Sequence, residues 1–214
     1  MSVYELKPRF QALLRPAVRW LAARGVTANQ LTIGAALGSL ALGAVLAVDG
    51  ADAPWLFLLL PPWLLARMAL NAMDGMLARE HGQRSALGAV LNELSDPVAD
   101  TALVAPFAWI APFSPVLVAA VAVLGVLTEL AGVVAVTIGA SRRYDGPMGK
   151  SDRALVLAIL GAAVATFRPL PSPVGWTMPA LVVLLLLTVL RRVRNGLAEA
   201  RPAVGRLTVR PGDP

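Results

Sequence analysis

The chain has 214 residues, of which 57% are hydrophobic and 15% charged, against the roughly 25% charge of a water-facing domain, so a soluble globular protein is excluded and several membrane spans are expected. The net charge of +6 comes from 19 Lys and Arg against 13 Asp and Glu. These cations lie between apolar runs rather than on one soluble face, which excludes a nucleic-acid-binding surface.

In chain order, residues 1–26 form the first predicted element. Val3, Leu6, Phe10, Leu13, Leu14, Ala17 and Leu21 recur at helical spacing between Lys7, Arg9, Arg15, Arg19 and Arg24. That pattern predicts an amphipathic helix lying at the cytoplasmic membrane interface, its cations meeting anionic lipid. The competing reading packs it on the protein's own cytoplasmic surface. Residues 27–197 then carry six apolar runs, about Leu31–Val48, Pro54–Ala72, Leu87–Ile110, Val116–Ala140, Ala154–Phe167 and Met178–Leu190, each read as a transmembrane helix. The expected fold is therefore all-α, an integral membrane protein of six transmembrane helices preceded by the interfacial helix. Pro61 and Pro62 are expected to kink the second span. Residues 198–214, rich in Pro and Gly, are read as a flexible cytoplasmic tail.

Cations flanking the spans set orientation, because Lys and Arg resist translocation. They cluster before the first span, after the second, between the fourth and fifth (Arg142, Arg143, Lys150, Arg153) and after the sixth, while Arg168 alone falls on the other side. Both termini are thus expected in the cytoplasm, in what is read as a bacterial inner membrane. Trp55, Trp109 and Trp176 fall at the outer ends of spans, as an interfacial aromatic belt would place them. Cysteine is absent and His81 is the single histidine, so thiolate and multi-histidine metal sites are excluded. His81 reads as an ordinary loop residue.

Polar residues at membrane depth are costly and mark function. Asn71, Asp74, Gly75 and Ala78 share one helical face, and Asn92, Asp96 and Asp100 form an i, i+4, i+8 stripe on the next span. Oxygen-only ligands of this kind suit Mg2+ or Mn2+. Arg67 and Glu129 lie at about the depth of Asp100, so an ion pair of Arg67 with Asp100 or Glu129 competes with a metal role for Asp100.

The segment Asn71 to Asp96 reads NxxDGxxAR, eight residues, then GxxxNxxxD. It resembles the CDP-alcohol phosphotransferase (CDP-alcohol phosphatidyltransferase) family, whose pattern is DxxDGxxAR, eight residues, GxxxDxxxD. The lead into the first span, GVTANQLT at Gly25 to Thr32, is similar too. The resemblance implies transfer of a phosphatidyl or similar group from a CDP-linked donor, such as CDP-diacylglycerol, to an alcohol, with release of CMP. It implies a cytoplasm-facing site and a homodimer. Matched position by position, Asp74 and Asp96 are metal ligands with Asp96 also the catalytic base, and Asp74, Gly75, Ala78, Arg79 and Gly88 grip the nucleotide. Asn71 and Asn92 replace the first and third motif aspartates. They are expected to act as neutral metal ligands with Asp74, Asp96 and Asp100 supplying charge, or else to leave an impaired member of the family that binds nucleotide or lipid. A small ion transporter is the third reading, since buried carboxylates also mark ion pathways. The basic loop Ser141–Arg153 is expected either to bind a small alcohol or alcohol phosphate through Arg142, Arg143, Lys150 and Arg153, or to be basic for topology alone.

Overall fold

The computed structural model describes residues 3–207, with side chains over 9–200. Every regular element among them is helical: α1 (Val3–Ala23), α2 (Ala28–Asp49), α3 (Leu60–Glu80), α4 (Ala86–Val104), α5 (Pro115–Thr137), α6 (Lys150–Thr166) and α7 (Thr177–Leu207). Short 3-10 segments, Pro54–Leu59, Ala105–Trp109 and Ser172–Trp176, stand at one end of α3, α4 and α7. Each of the three belt tryptophans sits in one of these segments, with its ring exposed.

α2 begins with a capping box: the Thr27 hydroxyl accepts from the Gln30 amide at 3.2 Å, and the Thr27 amide donates to Gln30 Oε1 at 2.9 Å. Its buried stripe, Ala28, Thr32, Ala35, Ser39, Gly43 and Leu46, is mostly small, which lets helices approach closely where lipid supplies no hydrophobic drive. At Gly43 a Cβ would lie 2.3 Å from the Ala102 carbonyl oxygen, so only glycine permits this crossing of α2 and α4. The prolines behave differently from expectation. Pro61 and Pro62 lie in the first turn of α3, where no amide partner is needed, so they start the α-helix instead of kinking a span. Pro97 lies inside α4 and removes the amide that would bond the Glu93 carbonyl.

Among the described residues, four helical stretches are long and apolar enough to cross a membrane: Ala28–Asp49, Pro54–Glu80, Pro115–Thr137 and Ser172–Ala200. α4 carries Glu93, Asp96 and Asp100, and α6 has 17 residues. The molecule is an integral membrane protein built around a helical core. At the tryptophan end Phe107 stacks edge-on with Phe57 at 5.1 Å and Phe113 at 5.7 Å, within a cluster that includes Leu46, Leu60, Leu103 and Met178.

α1 packs Leu14, Val18 and Ala22 on Met73, Met76 and Leu77 of α3, and Arg15 donates to both carboxylate oxygens of Glu80, at 3.1 and 3.2 Å. Its other side leaves Leu13 and Trp20 exposed, with the Arg24 guanidinium 3.6 Å above the Trp20 ring. One face is thus held by the protein and the other is exposed. At the other end α7 is helical through Leu207, which corrects the expected tail over 198–207. Glu199 there accepts from the Ser141 amide and hydroxyl, both at 2.9 Å. The expectations for residues 1–2 and 208–214 lie outside the described residues.

Candidate active site

Two cavities meet at the motif. The first, about 480 Å3, lies among α2, α3 and the start of α4, and Asn71, Asp74, Gly75, Ala78, Arg79, Gly88 and Asn92 all line it, with Asn29, Thr32 and Gln83. The second, about 520 Å3, is lined by Asn71, Asn92, Asp96, Glu129, Arg142, Tyr144, Lys150 and Arg192, among others. Asn71 and Asn92 belong to both walls, with Asp74 on the first side and Asp96 on the second. A smaller slot of about 200 Å3 between α3 and α6, lined by Leu64, Arg67, Met68, Ala72, Lys150 and Ala154, also reaches Asn71.

Two glycines, Gly75 and Gly88, line the first cavity. A Cβ on Gly75 would meet the Arg79 guanidinium at 3.0 Å, a flexible group that can yield, so packing alone does not demand glycine there. On Gly88 it would lie 2.7 Å from Asn29 Oδ1 and 3.0 Å from the Ser85 hydroxyl that caps α4. Gln83 closes the rim of this cavity by accepting from the Ala28 amide at 2.7 Å.

Asp74 is buried, and its Oδ2 accepts from the Thr32 hydroxyl at 2.7 Å. Thr32 enters the sequence reading only as the end of GVTANQLT and not as a site residue, although its place on the small-residue stripe of α2, one turn after Ala28, is a usable signal. Hydrogen bonds to a buried carboxylate are worth about 1.5–3 kcal/mol, so Thr32→Val, which keeps the shape, is expected to slow CMP release roughly tenfold or more with the melting temperature little changed. Unchanged turnover would remove Thr32 from the site.

Asp96 is enclosed by donors. Oδ1 accepts from Arg67 Nη2 and Asn71 Nδ2, each at 3.2 Å, and Oδ2 accepts from Lys150 Nζ. Asp100 lies outside both cavities. Its Oδ1 takes Arg67 Nη1 at 2.5 Å, and its Oδ2 takes Arg153 Nη2 at 2.7 Å and Nε at 3.2 Å. This corrects the expectation of a metal ligand: guanidinium groups occupy both of its oxygens, the ion-pair alternative named above. Arg153 is likewise corrected as an acceptor-binding residue. It is 5% exposed and bonds Asp100, Glu129 at 3.1 Å and the Thr128 hydroxyl at 3.1 Å, because α6 starts at Lys150 and so turns Arg153 inward. Arg143 faces away from the cavities, pairing with Asp145 at 2.7 and 2.8 Å and with Glu199 at 2.5 Å. The Arg143 hydrogen bonds hold the Asp145 carboxyl below its ordinary value. Arg142 does line the second cavity; it meets Glu93 at 2.7 Å, lies over the Tyr144 ring, and keeps a buried Nε without a protein partner. Arg192, read in the sequence only as a topological cation, is 2% exposed and bonds the Thr128 carbonyl.

The charges form one alternating chain across five helices: Lys150, Asp96, Arg67, Asp100, Arg153, Glu129, then Arg192 and Arg142, with Arg142 ending on Glu93. Among the described residues no three carboxylates or histidines converge as a metal cluster. The donor set does fit one hard cation, because Asp74 and the amide side chains of Asn71 and Asn92 open on the same cavity.

A family model for CDP-alcohol phosphatidyltransferase matches residues 25–193. The inner membrane protein YnbA of Escherichia coli K12 is 45% identical over 200 residues, covering 92% of this chain and 97% of that protein. Phosphatidylinositol phosphate synthase of Mycolicibacterium smegmatis is 30% identical over 187 residues, covering 85% of this chain and 82% of that one. Among solved structures, the phosphatidylinositol phosphate synthase of Mycobacterium tuberculosis with CDP-DAG bound superposes with a TM-score of 0.70 at 22% identity, covering 85% of this chain and 92% of that chain. The same enzyme with manganese and citrate gives 0.70, covering 85% and 88%. The chain belongs to the CDP-alcohol phosphatidyltransferase family. It is a membrane transferase that moves a phosphatidyl group from a CDP-linked donor to an alcohol and releases CMP.

Proposed function

We propose that CDP-diacylglycerol binds with its cytidine and pyrophosphate in the cavity among α2, α3 and α4, and that a phosphate-bearing alcohol enters the second cavity. The observation that carries this reading is the pair of cavities that share only Asn71 and Asn92, with motif carboxylate Asp74 on the first side and motif carboxylate Asp96 on the second. The acceptor hydroxyl attacks the phosphorus that bears the diacylglycerol, the bond from that phosphorus to CMP breaks, and the hydroxyl proton passes to Asp96. Arg79 offsets charge on the leaving nucleotide. Mg2+ or Mn2+ held by Asp74, Asn71 and Asn92 would neutralise the pyrophosphate, and manganese is present in the tuberculosis enzyme named above. The slot between α3 and α6 gives the acyl chains a way out to lipid.

Arg142, Lys150 and Arg192 line the acceptor side, and the free Arg142 Nε favours an anionic acceptor group. α4 and α6 are taken as spans along with the other four: the charges of α4 point to partners inside the bundle, while Leu87 and Val90 of α4 and Leu155 and Ile159 of α6 are exposed toward lipid. Six spans put both termini on one side, the cytoplasmic one by the cation count, with the site open to it. Inner-membrane residence agrees with the name of the E. coli relative. In the homodimer that completes this proposal, side chains of a second copy enter the apolar groove of about 570 Å3 along α4 and α5.

The test is CMP release by the purified protein with CDP-diacylglycerol, Mg2+ or Mn2+, and paired acceptors with and without a phosphate. Release is expected, faster with the phosphate-bearing member of a pair. No release with any acceptor would overturn the reading. Gly88→Ala, which pushes on Asn29 and the α4 cap, is expected to raise the KM for the CDP donor by about tenfold, equivalent to roughly 1.4 kcal/mol, with a smaller change in kcat; steady-state kinetics with varied donor check it.

A further inference from the structure

We propose that Lys150 is a tethered cation that takes the place of a divalent ion at Asp96, so that this chain binds one metal ion at Asp74 and supplies its second site charge covalently. The inference rests on the reading of Asp74 and Asp96 as the two carboxylates that face the substrates.

Three observations carry it. Asn71 and Asn92 are neutral where the motif pattern has aspartates, which leaves Asp74 and Asp96 as the charged pair of the motif. Lys150 comes from the first residue of α6 and places its ammonium on Asp96 Oδ2. The other oxygen of Asp96 is held by Arg67 and Asn71. A divalent ion at Asp96 would have to displace the ammonium and then stand beside the Arg67 guanidinium, which is 4% exposed and fixed by Asp100 at 2.5 Å. Repulsion between a divalent ion and a fixed cation a few ångströms away is severe in a site partly shielded from water. Asp74 has no such neighbour in contact: its hydrogen-bond partner is the neutral Thr32 hydroxyl.

The substitutions also fit one another. A site with four carboxylates needs more than one cation to offset it, whereas a site with two carboxylates and a lysine is already half neutralised. Lys150 is itself half-buried and lines both the acceptor cavity and the slot beside α3. Its charge therefore stands where the incoming acceptor and the transferred phosphate meet.

The experiment counts Mn2+ bound per chain in detergent-solubilised protein, by loss of the free-ion signal in electron paramagnetic resonance. Wild type is expected to bind one ion per chain. The double variant Asn71→Asp, Asn92→Asp, which retains Lys150, is expected still to bind one, and the triple variant Asn71→Asp, Asn92→Asp, Lys150→Met is expected to bind two; two ions bound by the double variant would overturn the role of Lys150. Lys150→Met alone replaces a side chain of similar length whose recorded partner is Asp96, so folding is expected to persist and provides a control. Two ions bound by wild type, or one ion still bound by the triple variant with the fold intact, would overturn the proposal. CMP release by wild type in the same preparation separates this inference from the transfer reading. One bound ion without CMP release supports the assignment of Lys150 and overturns the transfer reading; two bound ions with CMP release do the reverse.

Discussion

Asp96→Asn is expected to lower CMP release by a factor of roughly 100 to 10,000, the usual contribution of a positioned general base, while leaving the protein folded. Asparagine keeps an oxygen in the position where Arg67 and Asn71 donate, each at 3.2 Å, so that helix contact survives; the lost properties are the capacity to take a proton and the charge that holds Lys150. The comparison that isolates the effect is Asp74→Asn. Asp74 lines the donor cavity and not the acceptor cavity, so its loss should weaken donor and metal binding and show as a raised KM. Asp96→Asn should instead reduce kcat with donor KM little affected. Single-turnover CMP release at saturating donor makes the measurement. A fall of less than about tenfold at Asp96 would mean that another group accepts the proton.

The parts of this site that could be read in the sequence are those encoded by fixed spacing on a helix. Asn71, Asp74, Gly75, Ala78 and Arg79 needed only α3 to be continuous through its polar end, and the cavity they line follows. The Arg67–Asp100 pair was likewise legible from depth, because two opposite charges at one level of a bundle must find each other. The errors arise where the outcome depends on where a helix begins. Hydropathy places the fifth span near Ala154, but α6 starts at Lys150, because the Gly149 amide is capped by Asp152 at 2.9 Å. That single extra turn converts Arg153 from a loop cation into a buried one and aims Lys150 at Asp96. Pro61 and Pro62 were misplaced for the same reason: a proline in the first turn costs nothing, and only the preceding 3-10 segment reveals that the α-helix begins there. The fate of Arg142 against Arg143 rests on pairing with Glu93 and with Asp145 and Glu199, contacts between distant segments that no local pattern specifies.

Asp100→Asn is expected to destabilise the protein by about 3–5 kcal/mol, the cost of leaving buried guanidinium groups without their counter-charge. Asp100 is the common acceptor of Arg67 and Arg153, which are 4% and 5% exposed. Arg153 retains Glu129 at 3.1 Å, but Glu129 is also shared with Arg192 and Arg142 at 3.6 Å, so two carboxylates that balanced this part of the chain of charges become one. Replacing both partners is a different case. Asp100→Leu together with Arg153→Met removes opposite charges and is expected to cost clearly less than the sum of the single changes, with a coupling energy of about 1–3 kcal/mol in denaturant unfolding of the detergent-solubilised protein. Additive single effects would show that the two groups do not depend on each other. The loss should also reach the reaction. Arg67 divides its guanidinium between Asp100 and Asp96; without Asp100 it can settle wholly on Asp96 and compete with the acceptor hydroxyl for the same carboxylate. Turnover of Asp100→Asn should therefore fall even at temperatures where the variant is fully folded, which separates the part of Asp100's contribution that acts through Arg67 from the part that holds α3, α4 and α6 together.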